Sequence, residues 1–242
     1  MPGGVTLPSQ RDIKIKICGI TTVEDAHLVA DVGADYIGVI VGVSFSPRCL
    51  TVEQARPICE QSTLPVVALV FNWTAEQIHS AIAALNPYAV QLLGQESPSL
   101  VKALKGMAAC EVWKSIHLPP RGLGEINTAE YLDRVNSLVD AGIDAVVIDT
   151  VVSSYHDGPR YGGTGQVNDW LTVRKLVDAI SVHTFLAGGI NPENVRQAIE
   201  IVHPYGVDLC SGVELTLGRK DPEKLQELLL AVCGAVPRRV DI

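Results

Sequence analysis

Residues able to do chemistry sit at a few points along the chain, each at the end of a short apolar run. Lys16-Ile17-Cys18-Gly19 closes the first run. Alternation along a strand sets Lys16 and Cys18 on one side, with the thiol at the C-terminal end. A thiol there serves as base or nucleophile if its neighbours lower its pKa; otherwise it is an inert buried cysteine. Ala145-Val146-Val147-Ile148-Asp149 ends another run in a carboxylate. Such a group is costly to bury unless paired or used, or it caps the following loop. Arg48, within Ser46-Pro47-Arg48, is either a solvated surface cation or a planar fork able to grip a carboxylate with two prongs.

Glycines cluster at three later turns: Tyr161-Gly162-Gly163-Thr164-Gly165, Ala187-Gly188-Gly189-Ile190 and Cys210-Ser211-Gly212. Glycine allows positive φ and close backbone approach, so successive N–H groups can surround a phosphate. The six histidines (27, 79, 117, 156, 183 and 203) show no metal-ligand spacing and read as surface or core residues. His156 is set apart, because it lies in the long segment after Asp149 and could enter the same site. Six cysteines, with no C-x-x-C pair and no accompanying histidine cluster, read as reduced thiols.

The elements that must position these residues follow from periodicity. Strands are predicted at Ile13–Cys18, Tyr36–Val41, Val66–Phe71, Ala89–Leu93, Glu111–Ile116, Ala145–Asp149, Thr184–Ala187 and Val207–Cys210. Between them, apolar residues recur at three- and four-residue spacing; Val23, Ala26, Val29 and Ala30 share one face, for example. Helices are predicted at 22–32, 52–59, 75–85, 99–104, 129–141, 169–180, 192–202 and 222–232. Asn191-Pro192 and Asp221-Pro222 read as caps before a first-turn proline, and Gly33, Gly142 and Gly206 as helix ends.

Eight strands alternating with eight helices imply a parallel sheet: a single-domain (β/α)8 TIM barrel, with a doubly wound open sheet as the alternative. The predicted organisation is an N-terminal extension (1–12), a barrel catalytic domain (13–235) and a C-terminal tail (236–242). In such a barrel, chemistry belongs where strands end, and a phosphate site belongs after the seventh and eighth strands.

Composition agrees with this reading. The 242 residues are 47% hydrophobic but only 5% aromatic, which suits buried parallel strands. A net charge of −8 gives no broad footprint for nucleic acid or anionic membrane, so an anionic substrate must be held locally. The opening MPGGVTLPSQRDIK lacks the apolar core of a signal peptide, and apolar runs are strand-sized, so a cytoplasmic protein without a membrane span is expected.

Taken in order, the segments K-I-C-G-I-T, S-P-R, Q-L-x-G, G-G-T-G…D-W, L-A-G-G-I-N-P-E-N-V and D-L-C-S-G-V-E…K-D-P-E-K resemble the phosphoribosylanthranilate isomerase family of tryptophan biosynthesis. The likeness runs from Ile13 to Val232. It implies an Amadori rearrangement of N-(5-phosphoribosyl)anthranilate to 1-(2-carboxyphenylamino)-1-deoxyribulose 5-phosphate, with no metal or organic cofactor. Carried onto this chain, the resemblance makes Asp149 the general acid and Cys18 the general base. Arg48 would hold the anthranilate carboxylate, with Gln91 and Gly163 also at the substrate. The backbone at Gly188, Gly189, Ser211 and Gly212 would hold the phosphate. The implied partner is a small phosphorylated molecule, and association with other pathway enzymes cannot be read from the chain.

Departures from the family pattern gather at the substrate's aromatic end and the rim. Leu93 stands in Gln91-Leu92-Leu93-Gly94 where the family usually has histidine. The 41–45 segment differs, Cys49 replaces an aromatic, Asn168 replaces Phe, and 119–127 reads as an insertion. These changes bear on substrate identity more than on reaction type. A paralogous isomerase acting on another phosphorylated aminosugar, or a silent barrel serving as a binding partner, are therefore the alternatives. Segments 151–165 and 41–49 are expected to order over bound substrate.

Overall fold

A computed structural model describes residues 13–107, 109–124, 126–152, 160–161 and 166–234. The predicted extension and tail, His156 and Gly163 lie outside the described residues.

In chain order the elements begin with β1 (Lys14–Ile17), α1 (Val23–Val32), β2 (Tyr36–Val41), β3 (Cys49–Leu50), α2 (Val52–Gln61) and β4 (Val66–Val70). They continue with α3 (Ala75–Leu85), β5 (Ala89–Leu92), α4 (Pro98–Met107), β6 (Glu111–Leu118), α5 (Thr128–Ala141) and β7 (Ala145–Val152). Next come β8 (Arg160–Tyr161), α6 (Trp170–Ala179), β9 (His183–Leu186), α7 (Val195–Val202) and β10 (Gly206–Leu209). A 3₁₀ turn at Ser211–Val213 leads into β11 (Glu214–Thr216), β12 (Arg219–Lys220) and α8 (Pro222–Cys233).

Among the described residues, eight strands pair in parallel in the order β1-β10-β9-β7-β6-β5-β4-β2, and β1 pairs again with β2. That pairing closes the sheet, so the fold is a (β/α)8 barrel and not the open alternative. The short strands β3, β8, β11 and β12 were not expected. They are two- and three-residue pairings at the rim, too brief to leave a period in the sequence.

Alternation divides the apolar residues into two layers. Ile15, Ile37, Val90, Ile116, Val146 and Val207 face outward and pack with the helices in one large cluster. Val67, Leu69, Ala89, Trp113, Ala145, Val147 and Phe185 form a second cluster, with Tyr36 and Tyr205 against it. At the N-terminal end, the rings of Tyr36, Trp113 and Phe185 lie 4.9–5.8 Å apart and plug the barrel. The opposite end is left for polar side chains.

Local signals explain most boundaries. Thr22, Thr51 and Thr74 cap α1, α2 and α3, and Thr51 and Thr74 complete reciprocal boxes with Gln54 and Gln77. Gly33 and Gly142 end α1 and α5 in the left-handed region, and Asp221 caps α8 ahead of Pro222. Two expected caps are corrected. Asn191 and Asn194 bond each other's backbone at 2.9 and 3.0 Å, spending the predicted cap on a preceding turn, and regular helix begins at Val195. Gly206 opens β10 instead of ending α7, whose left-handed cap is His203. A Cβ at 206 would stand 2.5 Å from the Phe185 ring.

The 41–49 segment carries its own bonds: Gly42, Ser46 and Cys49 donate to Leu50, Val43 and Ser46 carbonyls, and β3 pairs with β2. Of segment 151–165, residues 153–159 and 162–165 lie outside the described residues. No helix among the described residues is long and apolar enough to cross a membrane.

Candidate active site

One cleft opens at the C-terminal end of the barrel. It is lined by Cys18, Arg48, Gln91, Leu93, Asp149, Gly188, Gly189, Ser211 and Gly212, together with Asp208 and Cys210. Every predicted site residue that is described therefore meets here.

Cys18 sits just past β1, where its N–H donates to the Leu209 carbonyl at 2.8 Å and continues the ladder to β10. Glycine at position 38 makes room for the sulfur, since a Cβ there would lie 2.9 Å from Sγ. One step down the same face, Lys16 is fully buried and its Nζ donates to Asp208 Oδ2 at 2.8 Å. Burial works against the ammonium, but Asp208 and the neighbouring thiol outweigh it and raise its pKa. The Cys18 thiol itself is held up by its hydrogen bond to Cys210 and by burial, against the pull of Lys16.

Asp149 lies on β7, which runs on to Val152, beyond the strand end predicted at Asp149. Burial lifts its pKa from 3.8 to about 7, overriding the Thr150 N–H that donates to Oδ1 at 2.7 Å. A carboxyl that keeps its proton near neutrality is suited to general-acid work. Among the described residues, its one backbone donor is the next residue in the chain. The register partner of Asp149 on β6 is His117, which burial pushes down to about 3 and so keeps neutral.

Arg48 lies at the cleft with a partner of its own. Its Nε and Nη2 donate to the two oxygens of Glu214, both at 2.6 Å, and both side chains are buried. The two-pronged edge is thus already committed to a protein carboxylate. Lys220 Nζ joins Glu214 at 3.3 Å. Burial alone would raise the Glu214 pKa, but Arg48 and Lys220 hold it down.

Among the described residues, two buried acceptors at the cleft lack a donor. Gln91 spends Nε2 on Ser115 Oγ at 2.9 Å and leaves Oε1 without a partner, and Asp208 leaves Oδ1 unpaired. Buried polar atoms without partners are uncommon, and both residues line the cleft, where a ligand hydroxyl or amine can donate. Apolar side chains complete the lining beside Gln91: Ile40, Leu69, Leu93 and Phe45, with Phe45 set edge-on to Phe71 at 4.9 Å.

The glycine turns after β9 and β10 interlock. Gly188 and Gly189 adopt φ of 80° and 65°. A Cβ on Gly189 would lie 2.6 Å from Gln166 backbone, and one on Gly212 would collide with the Ile190 carbonyl oxygen. Close packing of three loops, as much as ligand approach, demands these glycines.

Cys210, Asp208, Glu214 and Lys220 were not singled out as site residues. The D-L-C-S-G-V-E segment held three of them in view, but their roles depend on which strand lies beside β10, and that becomes visible only in the closed barrel.

A sequence model described as N-(5'phosphoribosyl)anthranilate (PRA) isomerase matches residues 15–231. The N-(5'-phosphoribosyl)anthranilate isomerase of Methanocella arvoryzae is 38% identical over 221 residues, covering 89% of this chain and 96% of that protein. The crystal structure of phosphoribosyl anthranilate isomerase from Thermotoga maritima superposes with a TM-score of 0.76 at 30% identity, covering 92% of this chain and 99% of that one. A structure of the isomerase in complex with reduced 1-(o-carboxyphenylamino)-1-deoxyribulose 5-phosphate gives a TM-score of 0.73 at 27% identity, with coverage of 92% and 99%.

Proposed function

The chain belongs to the N-(5'-phosphoribosyl)anthranilate isomerase family, and from that premise we propose how its cleft carries out the isomerisation. The chain is an aldose–ketose isomerase of tryptophan biosynthesis. Its substrate must gain a proton at the furanose ring oxygen and lose one from C2. Asp149 gives the first proton, the ring opens, and the nitrogen lone pair forms a Schiff base. Cys18 takes the proton from C2, the C–H electrons form the C1–C2 double bond while the C1–N π pair returns to nitrogen, and the enolamine tautomerises to the ketone.

A single observation carries this reading. Cys18 and Asp149 reach one cleft from strands that are not neighbours in the barrel, with Asp149 held in its proton-bearing form near neutrality. Fixing acid and base around one substrate converts two encounters into a unimolecular event.

The remaining walls match the other parts of the substrate. The turns at Gly188–Gly189 and Ser211–Gly212 bind the phosphate, and the unpaired Gln91 Oε1 and Asp208 Oδ1 accept from ribose hydroxyls. The apolar wall of Ile40, Leu69 and Leu93 takes the anthranilate ring. Arg48 serves the carboxylate with the part of its guanidinium that Glu214 does not use. The enzyme works in the cytoplasm, where its six free thiols stay reduced.

The test follows the loss of anthranilate-type fluorescence when the enzyme meets freshly generated phosphoribosylanthranilate. Turnover is expected for the parent, and Cys18→Ala and Asp149→Ala, folded, are expected to abolish it. Undiminished turnover in either variant would sink the assignment.

A further inference from the structure

The reaction as derived leaves Cys210 without a task, although it lines the cleft beside Cys18 across the β1–β10 seam. The pairing is fixed by the backbone. Lys16 is in register with Asp208 and Ile17 with Leu209, so Cys18 and Cys210 are the next pair across the β1–β10 seam. Both sulfurs border the cleft, and both are given space by glycines. A Cβ at 38 would stand 2.9 Å from the Cys18 sulfur, and one at 19 would stand 2.7 Å from the Cys210 sulfur.

The charges around the two thiols differ. On the Cys210 side, Lys220 Nζ donates to the Cys210 carbonyl at 3.1 Å and to Glu214 at 3.3 Å. Arg48 meets the same point as the sulfur, its Cδ also 2.7 Å from a Cβ placed on Gly19. Two cations thus share one carboxylate, an excess of one positive charge. On the Cys18 side Lys16 is already answered by Asp208, leaving no excess. Asp149 faces the pair from β7 and is uncharged until the pH passes about 7.

We propose that Cys210 holds the negative charge of the thiol pair in the resting enzyme and takes the Cys18 proton when substrate engages, acting on the substrate only through Cys18. This rests on the reading of Cys18 as the base. The protons balance. The Cys18 S–H proton moves to the Cys210 thiolate, and the new Cys18 thiolate removes the C2 proton. The pair ends one proton richer and Asp149 one poorer, and exchange of a single proton through water restores the start. The shifts run the same way, with burial and the shared hydrogen bond raising Cys18 while the Cys18 thiol, Lys220 and Arg48 lower Cys210.

The experiment compares the parent, Cys210→Ser and Cys18→Ser by fluorescence, recording kcat and KM from pH 5.5 to 9. For Cys210→Ser, kcat at pH 7 is expected to fall roughly tenfold, because the acidic limb moves up by about one pH unit. Relative to the parent at the same pH, much of the loss is recovered at pH 9, and KM changes little. A space-filling thiol would leave the limb where it was, and that result, in a folded variant, overturns the proposal. If Cys210→Ser fails to fold, alkylation of the parent by iodoacetamide, read by peptide mass spectrometry across the same pH range, decides the matter. Cys210 is expected to react first, and Cys18 reacting first overturns the proposal. Turnover retained by Cys18→Ser overturns the underlying reading of the base instead, so the two failures are distinguishable.

Discussion

Asp149→Asn should stabilise the protein, and increasingly so as the pH rises. In the unfolded chain the carboxyl ionises at 3.8, whereas in the folded protein it holds its proton to about 7. Between those values the folded state binds one proton more than the unfolded state, so stability contributed by the protonated form is lost as pH climbs. At about 1.36 kcal/mol per pH unit, the interval from pH 5 to pH 8 spans about 3 kcal/mol at most. Asp149 borders the open cleft, and solvent there roughly halves that figure, to about 1.5 kcal/mol. Asparagine keeps an acceptor for the Thr150 N–H and has nothing to ionise. Urea unfolding of parent and variant at pH 5 and pH 8 should therefore show the variant's advantage widening by about 1.5–3 kcal/mol, in a protein with no turnover. An advantage independent of pH would refute the claim that burial holds this carboxyl protonated, and with it the general-acid role.

Gly38→Ala adds a methyl 2.9 Å from the Cys18 sulfur and 3.1 Å from Leu69; a thermal melt should show a loss of about 1–3 kcal/mol, with kcat falling more than tenfold in the fluorescence assay. Lys16→Met strands Asp208 in the barrel and should cost about 3–5 kcal/mol in urea, most of it recovered when Asp208→Asn is added. Thr51→Ala removes the cap and half of the box at α2 and should cost about 1 kcal/mol while leaving turnover untouched.

What could be read from the chain follows the range over which each interaction acts. Helices and strands arise from patterns a few residues long, so α3 falls at Ala75–Leu85 where periodicity alone set it, and caps such as Thr22 and Gly33 are local chemistry. The misplaced caps at Asn191 and Gly206 show the limit of that rule. Both residues answer to neighbours, a reciprocal asparagine turn in one case and the Phe185 ring in the other. The placing of Cys18 and Asp149 toward the C-terminal ends of β1 and β7 was legible because alternation and the barrel rule suffice for it, although β7 runs on to Val152 where a strand end at Asp149 was expected. The commitment of Arg48 to Glu214 was not legible, since no local pattern joins residues so far apart in sequence. Leu93 was foreseen as a departure from the family pattern, and its company of Ile40, Leu69 and Phe45 came only with strand order.

The seam between β1 and β10 also governs when the enzyme becomes an enzyme. Lys16 to Asp208 spans 192 positions, Arg48 to Glu214 166, Thr21 to Gly218 197, and Asp25 to Lys220 195. Each is a contact of the highest sequence separation, so the loop-closure entropy it carries is met only after nearly everything else has been arranged. The thiol proposed as the base therefore gains the carboxylates and cations around it only when the ring closes, and any intermediate with an open seam holds Cys18 without them.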